Sequence, residues 1–211
     1  MSQMAVRDDK VFSELECDAF LRNELTVEEK VDGANLGISF DTSGNVLLQN
    51  RGAYLQLPGH GQWKKLTEWL ELHTAVLWEH LTDQYILFGE WCYATHSIFY
   101  DNLPDWFLAF DIYNKEAGRF LASVPRNQLL DKMQICKVPC LAQGKFTYSE
   151  IQSLFMQSKF GNQPAEGLYL RVDGNAWLEQ RAKLVRPTFI QRIDQHWSQA
   201  AIRPNRICVR N

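Results

Sequence analysis

The chain has 211 residues, 45% of them apolar and 12% aromatic, which suffices for one well-packed domain with at most a small appendage. A formal net charge of -3 excludes a globally basic nucleic-acid binder, so any such surface must be local. No stretch approaches the ~20 apolar residues of a membrane helix, and Met1 to Lys10 lacks the apolar core of a signal peptide, so no membrane association is expected.

From the N-terminus, Glu24–Val27 and Leu36–Phe40 read as strands flanking the hexapeptide Lys30-Val31-Asp32-Gly33-Ala34-Asn35. Asp41-Thr42-Ser43-Gly44-Asn45 is a turn cluster, and Val46–Arg51 the returning strand of a hairpin. A polar loop, Leu57–Gln62, precedes an amphipathic helix over about Trp63–Leu81, with Leu66, Trp69, Leu70, His73, Leu77 and Leu81 on one face. Gln84–Trp91 and Trp106–Tyr113 are strand candidates separated by an aromatic, polar loop. Pro125–Leu130 begins a helix, with proline at an early position. A second helix is expected from Ser149, as its cap, to Lys159. Glu166–Val172 and Trp177–Leu184 are further strands, and a short helix over about Phe189–Ala200 leads into a basic tail. Strands that pair largely as hairpins, with a few helices, predict an α+β fold of antiparallel sheets. No linker or repeat divides the chain, so residues 1–211 read as a single domain.

Five cysteines, Cys17, Cys92, Cys136, Cys140 and Cys208, are odd in number and irregular in spacing, which predicts free thiols in a reducing cytoplasm. Cys136 and Cys140 invite a zinc reading, but no second Cys/His pair lies near them, and structural thiols fit the spacing better.

Several islands carry chemistry. In the hexapeptide, Lys30 is placed to be a nucleophile: a desolvated or charge-neutralised lysine amine can attack a phosphate, and Gly33 lets that phosphate approach the backbone. Asp32 could contact a ribose or orient Lys30, and Asn35 could hold a metal-bound water or a phosphate oxygen. Taken alone, the same residues also suit a hairpin turn with an exposed lysine. Glu90 ends one strand and Glu166 starts another, so each offers a carboxylate. Phe110, in an apolar run, could stack on a purine. Arg181 and Lys183 share one face of a strand, as two cations aimed at a triphosphate would, or as a solvated edge would.

The order of these islands is more specific than any of them. Lys-x-Asp-Gly-x-Asn, a strand arginine, Gly-Glu, Phe-Asp-Ile, Glu-Gly-x-x-x-Arg and a cation-x-Lys strand, from about Glu28 to Arg186, resemble the ordered motifs of the covalent nucleotidyltransferases. Asn35 and Arg51, with the block Gly89–Ile98, Tyr100 and Leu103-Pro104, are similar to the double-strand-type branch of ATP-dependent RNA ligases.

That resemblance implies a ligase adenylation core of antiparallel sheets flanked by helices, without an OB-fold domain. It implies that Lys30 is adenylated from ATP with Mg2+ or Mn2+, and that RNA 5'-phosphate and 3'-hydroxyl ends are then sealed. Glu28 would lie near the adenine, and Phe110 would stack on it. Asn35 and Arg51 would serve the α-phosphate, metal waters and RNA ends. Glu90 and Glu166 would bind the ribose or metal, and Arg181 and Lys183 the phosphates, Lys183 most directly the α-phosphate. His96 and Arg186 would be RNA contacts without an assigned role. The family's last motif usually has two lysines, and Arg181 replaces the first. The grip on RNA is then expected from the core face, from Arg203, Arg206 and Arg210, from a homodimer, or from a partner protein. DNA nick sealing, capping-type nucleotidyl transfer and a non-catalytic core that binds nucleotide or RNA ends are the alternatives.

Overall fold

A computed structural model describes residues 11–186 and 202–208. The elements in chain order are α1 (Glu14–Leu21), β1 (Leu25–Lys30), β2 (Ala34–Phe40), β3 (Val46–Gln49), a 3-10 turn (Gly61–Trp63), α2 (Leu66–Leu81), β4 (Tyr85–Trp91), β5 (Phe107–Asn114), β6 (Arg119–Phe120), α3 (Ser123–Met133), β7 (Cys140–Gly144), α4 (Tyr148–Ser153), β8 (Gly167–Asp173) and β9 (Leu178–Val185). Every strand pairing is antiparallel, and the strands form two sheets, ordered β7-β1-β8-β9 and β3-β2-β4-β5-β6. The α+β expectation holds.

The strands alternate, and the alternation assigns their faces. On β2, Ala34, Leu36, Ile38 and Phe40 enter the main core with Leu87, Trp91, Phe107 and Ile112, closed by Leu66, Trp69, Leu70, Leu77 and Leu81 of α2. On β1, Leu25 and Val27 join Leu168, Leu170, Phe20 and Ile151 in a second core beneath the other sheet. The opposite faces of the two sheets are left to build a site. Residues Val31–Gly33 are the corner where the chain leaves one sheet for the other.

Several expectations shift. The helix expected from Trp63 opens with the 3-10 turn and becomes α-helical only at Leu66. The helix expected to run from Ser149 to Lys159 is one short element capped by Thr147, whose hydroxyl accepts from the Glu150 amide in a capping box. It ends early because the chain beyond is held elsewhere: Met156 O accepts from Ala165 N–H, and the Ser158 hydroxyl and Lys159 N–H bond Glu29. Arg51 lies beyond the end of β3, in a turn where Asn50 Oδ1 accepts the amides of Gly52 and Ala53. Helix α1, capped by Ser13, and strand β7 have no counterpart in the sequence reading. The helix expected over 189–200 lies outside the described residues, as does Arg210. All five cysteines are free. Among the described residues no helix is long and apolar enough to cross a membrane.

Candidate active site

Between the two free sheet faces lies a cavity of about 410 Å³, lined among others by Glu28, Lys30, Asn35, Arg51, Glu90, Phe110, Arg181 and Lys183. Glu28 and Lys30 are two apart on β1 and so share a face; Tyr169 on β8 and Arg181 and Lys183 on β9 extend that face, with Tyr169 opposite Lys183 in register. The other wall comes from Asn35, Phe88 and Glu90, with Asn35 opposite Glu90 across β2 and β4. The register of β4 against β5 slips between Phe88 and Gly89, so Phe110 is the extra residue of a bulge. The bulge aims Phe110 and Asp111 into the cavity. Gly89 has to be glycine there: a Cβ would stand 2.5 Å from the Phe107 ring.

Lys30 Nζ meets Glu166 Oε1 at 2.5 Å. Burial pushes the Glu166 carboxyl up, against the pull of Lys30. Burial likewise pushes Glu90 up to about 8, with the charges of Lys30 and Arg51 opposing and those of Glu166 and Asp32 adding to the rise. Each of these carboxylates keeps one buried oxygen, Glu90 Oε2 and Glu166 Oε2, without a hydrogen-bond partner. Glu90 lines the cavity, whereas Glu166 does not and meets it through Lys30. A buried, unsatisfied carboxylate oxygen is costly, and two such oxygens around Lys30 suit a hard divalent cation. Among the described residues no cluster of three or more His, Cys, Asp or Glu side chains could hold a metal alone. The two glutamates would therefore supply part of the coordination, with water and phosphate oxygens completing it.

Other residues singled out by sequence do different work. The carboxylate of Asp32 does not line the cavity. Its Oδ2 accepts the amides of Ser97 at 2.7 Å and Ile98 at 3.0 Å, while its own N–H donates to the Tyr100 hydroxyl at 2.8 Å. Asp32 thus clamps the 93–104 loop to the Lys30 corner, where a ribose contact or direct orientation of Lys30 was expected. His96 Nε2 is 2.9 Å from Gln62 Oε1; burial lowers its pKa against the charge of Asp32 and favours the neutral ring. Arg186 donates to the carbonyls of Ala165 and Met156 and lies over the Phe155 ring, which ties down the 155–166 loop. Neither His96 nor Arg186 lines the cavity.

The base of the cavity rests on a buried ionic network that sequence reasoning did not assemble. Arg126, on α3, forms a two-pronged pair with the Glu28 carboxylate and donates to Phe110 O at 2.6 Å. Arg171 bonds Asp111 Oδ1 at 2.6 Å and Leu121 O at 3.0 Å, and Arg181 reaches Asp111 Oδ2 at 3.4 Å while lying over the Phe120 ring. The Glu28 carboxylate is therefore already occupied. Two arginines hold the backbone beneath Phe110, since Arg171 also donates to Phe110 O at 3.3 Å. A signal for this network existed: Asp111 and Arg171 fall in phase within otherwise apolar strands, where a charge must be paired.

Two antiparallel sheets closing on a lysine, two glutamates each with one unsatisfied oxygen, an aromatic wall and a cationic strand make the core a nucleotidyltransferase-like one. The sequence profile of the RNA ligase family matches residues 23–185, and the chain belongs to that family. Among solved structures, a variant of the Naegleria gruberi RNA ligase with ATP and Mn superposes at a TM-score of 0.64 and 16% identity, covering 85% of this chain and 54% of that one. A variant of the same enzyme with AMP and Mn gives 0.63 and 16%, covering 83% and 53%. The same enzyme with PPi gives 0.61 and 19%, covering 82% and 52%. The chain thus spans about half the length of the Naegleria ligase. No curated protein matches the sequence.

Proposed function

We propose that the protein is an ATP-dependent RNA ligase that works through a lysyl-AMP intermediate on Lys30. The observation that carries this reading is the contact of Glu166 with Lys30, which lines a cavity together with Glu90, Arg181 and Lys183, in a chain of the RNA ligase family. The Naegleria ligase, solved with ATP, AMP and Mn, supports the same choice of nucleotide and a divalent ion, Mn2+ or Mg2+.

In the first step Lys30 Nζ attacks the α-phosphorus of ATP; an N–P bond forms, the P–O bond to pyrophosphate breaks, and the amine gives up a proton. Glu166 Oε1 stands where that proton leaves. Phe110 offers its ring to the adenine from a backbone fixed by Arg126 and Arg171, and Lys183 and Arg181 face the phosphates. A cation held by Glu90 and Glu166, and through water by Asn35, would neutralise phosphate charge. AMP then passes to the 5'-phosphate of RNA, which frees Lys30. Finally the RNA 3'-hydroxyl attacks that phosphate and AMP leaves.

The test is incubation with α-labelled ATP and Mg2+ or Mn2+. Label that stays with the denatured wild-type protein and is missing from Lys30→Ala supports the reading. Unlabelled wild-type protein, or a labelled Lys30→Ala, overturns it. Comparison of nicked RNA, nicked DNA and triphosphate-ended RNA as acceptors then settles the substrate.

A further inference from the structure

Residues 202–208 lie beyond the family match at 23–185, yet they are tied to the site. The segment bridges the 93–104 loop at Ala94–Pro204 and Leu103–Ile207. Five main-chain bonds join the two stretches: Thr95 N–H to Arg203 O, Asn205 N–H to Tyr93 O, Arg206 N–H to Tyr100 O, Leu103 N–H to Arg206 O, and Cys208 N–H to Leu103 O. Asn205, buried between them, spends both ends of its amide. Its Oδ1 accepts from Thr95 Oγ1 and Tyr100 N–H, and its Nδ2 donates to Cys92 O and Ala94 O. Asp32 holds this same loop through the amides of Ser97 and Ile98.

With Asn205 turned inward, Arg203 and Arg206 are exposed, and both lie over one aromatic ring, with guanidinium carbons 4.2 and 5.9 Å from the Phe99 centroid. Phe99 follows Ile98, whose amide is bound by Asp32 two residues from Lys30. Among the described residues neither arginine has a carboxylate partner. Two arginines on one ring, without a carboxylate partner among the described residues, form a positive patch on a chain whose net charge is -3. Stacking on an aromatic face fixes the plane of a guanidinium and leaves its N–H edge free for the paired oxygens of a phosphate.

We propose that Arg203 and Arg206, held on Phe99 and delivered by the Asn205 strap, grip the phosphate backbone of the RNA strand whose end is joined at Lys30. The proposal rests on the RNA ligase reading and says how that RNA is held.

The test is equilibrium binding of a 5'-phosphorylated RNA strand across a salt series, with ATP labelling measured in parallel on the same preparations. The double variant R203Q/R206Q is expected to bind about tenfold more weakly. The slope of log affinity against log salt should fall by about 1.4, for two lost phosphate contacts on single-stranded RNA. Labelling by ATP stays at the wild-type level, because neither arginine lines the nucleotide cavity. R203K/R206K keeps the charge and should keep most of the slope. Wild-type affinity and slope in the glutamine variant, or an equal loss in the lysine variant, overturns the proposal. Should the glutamine variant fold poorly, phenylglyoxal modification of the wild-type protein replaces it. RNA, but not ATP, should then protect Arg203 and Arg206, and equal modification with and without RNA refutes the contact. Failure of the ligase reading looks different: no AMP label on the wild-type protein, whatever the binding data show.

Discussion

Lys30 Nζ and Glu166 Oε1 stand 2.5 Å apart because β1 and β8 pair with Lys30 opposite Gly167, one residue from the glutamate. Gly167 is needed at that crossing, since a Cβ there would lie 2.4 Å from Leu184 O on β9. The contact predicts that Lys30→Arg fails as fully as Lys30→Ala in forming the covalent adenylate, because a guanidinium keeps its proton and cannot attack phosphorus. Glu166→Gln should keep the fold and lower the rate of adenylate formation by about 10²- to 10⁴-fold, the usual range for a positioned proton-transfer group. Single-turnover labelling checks both. A Glu166→Gln enzyme within a few-fold of wild type would show that the contact is only structural.

The corner that holds Lys30 depends on Asp32 through bonds to the 93–104 loop, not through the cavity. Asp32→Ala leaves one buried and one half-buried amide without their charged acceptor and should cost about 2–4 kcal/mol, at 1.5–3 kcal/mol for each charge-assisted bond with partial replacement by water. Tyr100→Phe removes only the hydroxyl that accepts from Asp32 N–H and should cost about 1–3 kcal/mol. Urea unfolding reads both. If Asp32→Ala unfolds like wild type yet makes no adenylate, the carboxylate acts on the nucleotide and the clamp is incidental.

What the sequence displays and what it hides separate by the range of the interaction. The apolar face of α2 is legible because periodicity is local, and five of the six residues expected there, Leu66, Trp69, Leu70, Leu77 and Leu81, are buried; His73 is only half-buried and bonds Trp69 O. Lys30, Glu90, Glu166 and Lys183 are legible as strand-end or strand-face charges in a fixed order. The Glu28–Arg126 pair is not, since 98 residues separate partners that only the packing of α3 brings together. Asp32 is half legible for a related reason: its position beside Lys30 and Gly33 suits contact with a ligand, while the loop amides its carboxylate binds lie 65 and 66 residues away. Asn205 carries no sequence signal at all, because an asparagine in a tail reads as solvated until its four partners are in place.

Arg126 and Glu28 are almost wholly buried, so their pair is worth most when one member is missing. Arg126→Leu should cost about 3–5 kcal/mol, since it strands a carboxylate inside the protein, whereas a surface ion pair is worth ~1 kcal/mol or less. Arg126→Lys should recover only part of the loss, because an ammonium cannot bridge both Glu28 oxygens and Phe110 O at once. Loss of the Phe110 O contact should also weaken ATP binding, measured by equilibrium titration at a temperature where the variant remains folded. A cost below about 1 kcal/mol for Arg126→Leu would mean that the network relaxes around the hole.

Glu90 gives the cation-free protein a pH dependence of definite sign. Burial lifts its carboxyl from an ordinary 4.5 to about 8, so between these values the folded state holds a proton that the unfolded chain has lost. The stability contributed by the neutral form is complete below pH 4.5 and declines as pH rises, by up to about 1.4 kcal/mol per pH unit, until it is gone above about 8. Glu166, also raised by burial, adds to the decline in the same direction. Glu90→Gln removes the Glu90 part. Denaturant midpoints at pH 5, 6.5, 8 and 9, taken without divalent ions, should therefore fall more steeply with pH for wild type than for the variant. Because a proton and a cation compete for the same oxygens, added Mn2+ should restore more stability to wild type at pH 8 than at pH 6 and do little for Glu90→Gln. Parallel pH profiles for the two proteins would mean that Glu90 titrates as an ordinary carboxylate and that its buried oxygen is satisfied in solution.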